Sequence, residues 1–348
     1  MTRDHGFHLL RVQRVVQETH DTKSFVFEVP ADLRDAFAYE AGQFCTFRVP
    51  LADDELLRCY SMSSAPGVDD DFVLTVKRVA GGRVSNWLLD EVRVGDELAL
   101  TLPAGVFTLR DRPTPIVAFA GGSGITPVIS VIKRALATTD RRAHLLYANR
   151  DVDSVIFRAE IDALVTAHPG RLEVVHHLDA DDGFVHSDLV RTFVGDDLDA
   201  DFYLCGPGPF MDVIEDALAL ASVPPERVFV ERFAFAGSVR DEPPAALVTA
   251  APAEEVVGTE TVTIVLGGKA TEVKYQPGET FLETARRAGL RAPFSCESGS
   301  CATCMARLEV GEAKMRVNNA LMPDEVDEGW VLTCQGLPTS PTAKVVYE

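Results

Sequence analysis

Cysteine placement sets the tightest limit on what this chain can fold into. Four of the seven cysteines fall in the last fifty-three residues, as Cys296-x4-Cys301-x2-Cys304 followed after twenty-nine residues by Cys334, whereas Cys45, Cys59 and Cys205 stand alone. An odd total, with no signal-peptide core between Met1 and Val16, argues against a secreted disulfide framework and for a reducing, cytoplasmic setting. In that setting the cluster of four reads as metal ligands and the scattered three as small buried apolar side chains. Three close thiols and one distant one is the spacing of a [2Fe-2S] cluster. Such a cluster needs four thiolates and a tight loop of small residues that turns N–H groups towards sulfur, and Glu297-Ser298-Gly299-Ser300 with Ala302-Thr303 supplies that loop. Structural zinc is the alternative, although it usually draws on two C-x-x-C pairs and only Cys301-x2-Cys304 is present.

A length of 348 residues suits two or three domains. With 33 basic and 53 acidic residues the chain carries a formal charge of −20, which repels phosphate backbones and anionic lipid, so neither nucleic acid nor a membrane is an expected partner. The best apolar run, Ile116 to Leu136, is broken by Gly121, Gly122, Gly124, Pro127 and Lys133, well short of a membrane span. Between Phe7 and Leu102 short alternating runs (Ser24 to Val29, Gln43 to Val49, Phe72 to Lys77) predict a small antiparallel barrel. After Pro115 the texture becomes βα alternation. Strands are expected at Ile116 to Ala120, His144 to Ala148, Leu172 to His176 and Asp201 to Cys205, with helices at Pro127 to Leu136, Ala159 to Ala167 and Phe210 to Ala221; this is a doubly wound parallel sheet. Arg240 to Val257, with Pro243-Pro244, Pro252 and no amphipathic period, reads as an extended linker. A hairpin at Thr261 to Leu266 and Thr271 to Tyr275 and a helix at Thr280 to Ala288 then lead into the cysteine loop. The expected domains are a barrel over 1–110, a nucleotide domain over 111–237, a linker over 238–258 and a cluster domain over 259–348.

Three further motifs carry chemistry. Arg58-Cys59-Tyr60-Ser61 closes a barrel strand, and Gly82-Arg83-Val84-Ser85 precedes a helix at Asn86 to Leu89. An Arg and a helix amino terminus offer charge and free N–H groups to a pyrophosphate, a Tyr can lie against an isoalloxazine face, and a Ser can reach the flavin N5 edge. Alone, Tyr60 reads as a core residue and Arg58 as a solvated charge. Next, the strand at Ile116 runs into Gly121-Gly122-Ser123-Gly124-Ile125-Thr126-Pro127, a glycine turn suited to a pyrophosphate, with Pro127 expected at the first helical position. A second loop, Cys205-Gly206-Pro207-Gly208-Pro209, also opens a helix. Arg150 could hold a 2′-phosphate, while Asp151 and Asp153 would repel one, so NADH is preferred over NADPH. The acidic run Asp179 to Asp182 reads as a solvated loop.

Taken in this order, these motifs resemble the ferredoxin-NADP reductase superfamily. Within it the chain is similar over nearly its whole length to reductase components of bacterial multicomponent oxygenases of the 3-ketosteroid 9α-hydroxylase and phenylacetyl-CoA epoxidase type, which end in a plant-type ferredoxin. The resemblance implies an antiparallel flavin-binding barrel, a doubly wound NAD(P) domain and a β-grasp [2Fe-2S] domain. It implies that Gly122, Gly124, Thr126, Pro127, Gly206 and Pro207 hold the nucleotide, that Cys205 lies near the nicotinamide C4, and that Glu231 lies near the flavin edge. It also implies that Arg58, Tyr60, Ser61, Gly82, Val84 and Ser85 hold the flavin. The stretch Gly81 to Leu88 looks like relatives that carry FAD, with FMN the alternative found in others of the same domain order. A nicotinamide gives two electrons at once and a [2Fe-2S] cluster accepts one, so the implied order is NAD(P)H, flavin, cluster, partner. The eight histidines include His176-His177, but no Cys-x-His pair suggests a Rieske centre, and the single Glu-x-x-His spacing, Glu173 to His176, falls in an expected strand where a di-iron site needs two on helices, so a separate oxygenase is the expected partner. Two alternatives stand: a reductase for a hybrid-cluster or other redox partner, and a non-catalytic nucleotide-sensing zinc protein.

Overall fold

In the computed structural model, residues 7–51, 54–232, 259–294, 299, 304–318, 321 and 323–347 are described, and they form two compact units, 7–232 and 259–347. The expected linker lies outside the described residues, as do Cys296 and Cys301.

The first unit opens with strands β1 (Phe7–Thr19), β2 (Thr22–Glu28), β3 (Phe44–Leu51), β4 (Asp54–Ser61) and β5 (Phe72–Lys77), helix α1 (Arg83–Asp90) and strand β6 (Glu97–Thr101). All pairs are antiparallel, in the order β4-β3-β6-β1-β2-β5. A bridge between Met62 and Leu74, with the Ser63 N–H donating to the Val73 carbonyl at 2.9 Å, joins the outer strands into a barrel. Phe25, Phe27, Phe47, Leu74 and Leu100 fill it, and Val84 and Leu88 of α1 join the same cluster. The sequence predicts short strands throughout, but β1 runs for 13 residues, because two register shifts bend it far enough to pair with both β6 and β2.

The same unit continues as β7 (Ile116–Gly121), α2 (Ile125–Thr138), β8 (Ala143–Asn149), α3 (Arg158–Ala167), β9 (Leu172–Leu178), α4 (Asp179–Asp182), α5 (Ser187–Val194), β10 (Asp201–Cys205), α6 (Gly208–Leu220) and β11 (Val228–Glu231). The five strands are parallel in the order β11-β10-β7-β8-β9. Residues of α2 and α3 pack on one face and those of α5 and α6 on the other, which buries every residue of β7 and explains its uninterrupted apolar run. Two expectations need correction, and one helix is new. Pro127 is the third helical residue rather than the first, because a 3-10 turn over 122–124 runs straight into α2; at that position a missing N–H is still harmless. Asp179 to Asp182 is a single helical turn rather than a loop. Helix α5 had no expectation, its eight residues being too few for a clear period.

Asp201 sits fully buried at the start of β10 with Arg141 Nη2 at 2.7 Å, Arg112 Nη1 at 3.2 Å and Arg227 Nη1 at 4.0 Å from its carboxylate oxygens. Removing one partner of a buried ion network leaves uncompensated charge and costs about 3–5 kcal/mol. Asp201→Ala is therefore expected to lower the unfolding free energy by about that amount in a denaturant melt. A loss below about 1 kcal/mol would show that the network contributes no net stability.

The second unit comprises β12 (Thr261–Leu266), β13 (Lys269–Lys274), α7 (Phe281–Arg287), β14 (Met305–Val310), β15 (Ala313–Met315), α8 (Pro323–Asp327), β16 (Trp330–Leu332), β17 (Gly336–Pro338) and β18 (Thr342–Val346). Its main sheet runs β13-β12-β18-β14-β16, with β12 and β18 parallel and the other pairs antiparallel. A reciprocal capping box starts α7: the Glu283 N–H donates to Thr280 Oγ1 at 3.2 Å, and the Thr280 N–H donates to Glu283 Oε2 at 2.7 Å. The helix buries Phe281, Leu282 and Ala285. A mixed sheet packed against α7 is the β-grasp arrangement.

Candidate functional site: two nucleotide sites and a thiol pair

At the end of β4 the barrel presents Ser61, which is 1% exposed and whose hydroxyl has no hydrogen-bond partner. Buried polar atoms are nearly always satisfied, so a group left open marks a place that a ligand completes. Tyr60 beside it packs edge-on to Phe47 with ring centroids 5.2 Å apart, and burial pushes its phenol up. Arg58 lies two residues earlier on the same strand, in register with Phe47. Gly82 is the N-cap of α1. Val84 is packed into the barrel core, and the Ser85 hydroxyl accepts the Val79 N–H at 3.1 Å. Their side chains are thus occupied, and what they offer a pyrophosphate is main-chain N–H at a helix start.

The nucleotide half places its two predicted loops together at the carboxyl ends of β7 and β10, where strand order reverses and such sheets bind ligands. The approach is close: a Cβ on Gly124 would lie 2.0 Å from the Cys205 carbonyl oxygen. Gly122 has φ +53°, a left-handed conformation. The Tyr147 hydroxyl donates to its carbonyl at 3.1 Å. Thr126 donates to the Ser123 carbonyl at 3.0 Å and Pro127 is buried, so both shape the turn. Gly206 and Pro207 follow Cys205 directly into the N-cap of α6.

Cys205 is fully buried and is the register partner of Glu231 on β11, itself 2% exposed. Burial, and then the Glu231 charge, push the Cys205 thiol up, so it stays a neutral thiol. That suits packing against a ring rather than nucleophilic attack.

Arg150 follows β8, where its Nη2 donates to Asp21 Oδ2 at 3.1 Å and to Ser154 Oγ at 3.3 Å. Asp151 is used as a cap, accepting from the Ser154 N–H at 2.9 Å. Three residues here were missed by sequence reasoning. Lys77, at the end of β5, brings Nζ to 3.9 Å from where a Gly122 side chain would begin. Asp21 is the tip of the β1–β2 hairpin. Asn149, 4% exposed, has a side-chain amide with no hydrogen-bond partner at either atom. None carries a motif; only the glycines next to Lys77 could have drawn attention to it.

In the second unit Cys304 and Cys334 are 2% and 7% exposed. The Cys304 carbonyl accepts both the N–H of Thr333, at 3.1 Å, and its hydroxyl, at 2.7 Å, which pins one thiol residue beside the other. The Tyr347 phenol, bonded to Thr333, is pushed up by burial and by the charge of both cysteines. Among the described residues no three metal-ligating side chains converge, since the other two candidate cysteines lie outside them. Two buried thiols tied through one residue nevertheless suit thiolate ligands better than core cysteines such as Cys45, which is packed in the barrel core with its thiol 3.9 Å from the Met62 sulfur.

Comparison with known proteins assigns the three parts. Residues 9–109 match the oxidoreductase FAD-binding domain, 119–216 the oxidoreductase NAD-binding domain and 264–339 the 2Fe-2S iron-sulfur cluster binding domain. The ferredoxin reductase component of 3-ketosteroid-9-alpha-monooxygenase from Mycolicibacterium smegmatis is 38% identical, over 99% of this chain and 98% of that protein. The chain belongs to this family of oxygenase reductases. One component of the 1,2-phenylacetyl-CoA epoxidase from Escherichia coli is 31% identical over 98% of both chains. The solved phthalate dioxygenase reductase superposes with TM-score 0.60 at 27% identity, covering 99% of each chain. The reductase is an oxidoreductase with FAD, NAD and 2Fe-2S domains, and its cluster domain sets aside the zinc-binding alternative. Among its described residues no helix is long and apolar enough to cross a membrane.

Proposed function

We propose that this reductase is cytoplasmic, takes its electrons from NADH rather than NADPH, and delivers them to a terminal oxygenase of the 3-ketosteroid 9α-hydroxylating type. Support for the partner is the higher identity to ketosteroid monooxygenase reductases, 38% against 31% for the phenylacetyl-CoA and glycine betaine systems. Support for NADH is the commitment of Arg150 to Asp21 and Ser154. The domain limits 1–110, 111–237, 238–258 and 259–348 belong to the same reading.

The observation that carries the chemistry is the open, buried Ser61 hydroxyl on the barrel, in the same unit as the crossed β7 and β10 loops. When bound, FAD supplies the conversion of a hydride pair into single electrons that a [2Fe-2S] cluster can carry. The protein contributes placement. Ser61 donates to the flavin edge, Tyr60 and Arg58 hold its ring and pyrophosphate, and the N–H groups from Gly82 to Ser85 complete the phosphate site. Gly122, Gly124, Thr126 and Pro127 cradle the nicotinamide nucleotide, and Gly206 and Pro207 close its other side. Cys205 and Glu231 confine the nicotinamide face without exchanging a proton. Cys296, Cys301, Cys304 and Cys334 hold the cluster.

The test is an anaerobic visible spectrum before and after NADH, and separately NADPH, followed by electron delivery to purified terminal oxygenases. Flavin and iron-sulfur absorbance bleached by NADH, with a ketosteroid oxygenase reduced faster than acyl-CoA or betaine systems, is the expected result. Bleaching by NADPH in preference to NADH would overturn the donor assignment, and faster reduction of another oxygenase would overturn the partner.

A further inference from the structure

Deepening that reading of the donor, we infer that Asp21, on a barrel hairpin, is the specificity-determining residue that makes the site reject a 2′-phosphate. Its carboxylate is almost enclosed, with the side chain 13% exposed. The hairpin fixes it: Thr19 Oγ1 and Thr22 Oγ1 donate to Oδ1 at 2.9 and 3.1 Å, and the Arg78 N–H donates to the Asp21 carbonyl at 2.8 Å. Basic side chains from both halves of the unit meet there. Lys77 Nζ, at the end of β5, is 3.8 Å from Oδ1; Arg150 Nη2, just past β8, is 3.1 Å from Oδ2; and His20 Nε2 is 3.8 Å from Oδ2.

The placement matters because Lys77 and Arg150 stand beside different parts of the nucleotide path. Lys77 adjoins the left-handed Gly122 of the pyrophosphate turn. Arg150 follows the second strand of the doubly wound sheet, the position from which such domains contact the adenosine ribose and, in NADP-binding members, its phosphate. With Arg150 Nη2 engaged by Asp21 and Ser154, its charge is already offset by a carboxylate, and a phosphate has to compete with Asp21 for it. An entering 2′-phosphate would instead meet Asp21, Asp151 and Asp153, and a neutral ribose hydroxyl would not. Like-charge juxtaposition of this kind discriminates by repulsion. Although burial works to raise it, the hydrogen bonds from Thr19 and Thr22 and the Lys77 and His20 charges hold the Asp21 carboxyl below its usual range, so it is ionised at neutral pH. Burial lowers the Lys77 ammonium, which the Asp21 charge offsets and Arg150 reinforces. One carboxylate thereby serves two purposes: it keeps Lys77 charged for the pyrophosphate and keeps Arg150 from the ribose. Donor choice is set across the two halves of the unit, rather than within the loop after β8.

The test compares kcat/KM for NADH and NADPH, read as ferricyanide reduction by the holoenzyme. Asp21→Asn preserves acceptors for the threonine hydroxyls while removing the charge, and it is expected to raise the NADPH-to-NADH ratio at least tenfold. Adding Arg150→Ala to that variant removes the gain, because the released guanidinium is what receives the phosphate. Arg150→Ala alone leaves the ratio near that of the wild type, a result readable even where the Asp21 variant does not fold. An unchanged ratio in a folded, flavin-loaded Asp21→Asn protein overturns the inference, as does a fall in the ratio for Arg150→Ala alone. A wild-type enzyme that prefers NADPH would instead overturn the donor reading itself.

Discussion

Cys334→Ser is expected to abolish reduction of one-electron acceptors such as cytochrome c while sparing ferricyanide reduction at the flavin. Cys334 is buried between β16 and β17, beside the Thr333 that pins Cys304. A serine oxygen is shorter and harder than a thiolate, so it neither reaches nor suits an iron that soft sulfur ligands hold. Disturbing groups around a metal's ligands already costs about 10–100-fold in affinity or activity. Loss of a ligand is therefore expected at or beyond the upper end, with iron and sulfide content falling in parallel. The FAD-binding and NAD-binding domains, 9–109 and 119–216, fall within the first unit, which explains why their chemistry survives. Measuring both acceptors on the same preparation decides the electron order. Equal loss of both activities would show that the cluster does not lie downstream of the flavin.

The parts of this site that sequence disclosed are those where backbone geometry or metal chemistry restricts residue type. A thiolate set can only be cysteine, and a turn with φ +53° at Gly122 or a carbonyl 2.0 Å from a missing Cβ at Gly124 strongly favours glycine, so these positions leave a readable pattern. Asp21, Lys77 and Asn149 leave none. An acid in a hairpin tip and a lysine at a strand end are ordinary, and they come beside the proposed site only where the barrel and the parallel sheet meet. Arg150 illustrates the limit. Its spacing after β8 suggests a phosphate ligand, and the carboxylate that claims it comes from 129 residues earlier. Val84 and Ser85 show the reverse case: their motif was legible, but their side chains are spent on the barrel core and the Val79 turn.

Gly124→Ala is expected to reduce flavin reduction by NADH about a hundredfold, which corresponds to about 2.7 kcal/mol. The added methyl would meet the Cys205 carbonyl oxygen at 2.0 Å, the Cys205 carbonyl carbon at 2.4 Å and the Gly206 nitrogen at 2.7 Å. All three are main-chain atoms of the facing loop, so no rotamer change relieves the clash. Overpacking against movable side chains costs about 1–3 kcal/mol, and main chain yields less readily. Separation of the β7 and β10 loops is the only relief, and it moves Cys205 away from the place proposed for it beside the nicotinamide. The barrel lies outside this contact, so flavin absorbance is retained. Gly170→Ala serves as the control: Gly170 has φ +72° but nothing within 4 Å of a Cβ. It carries only the left-handed backbone cost of about 1–2 kcal/mol in stability, with nucleotide kinetics unchanged. Stopped-flow reduction of both variants separates crowding of the loops from loss of glycine flexibility. If Gly124→Ala reduced its flavin at the wild-type rate, the close approach of the two loops would not be what positions the nicotinamide.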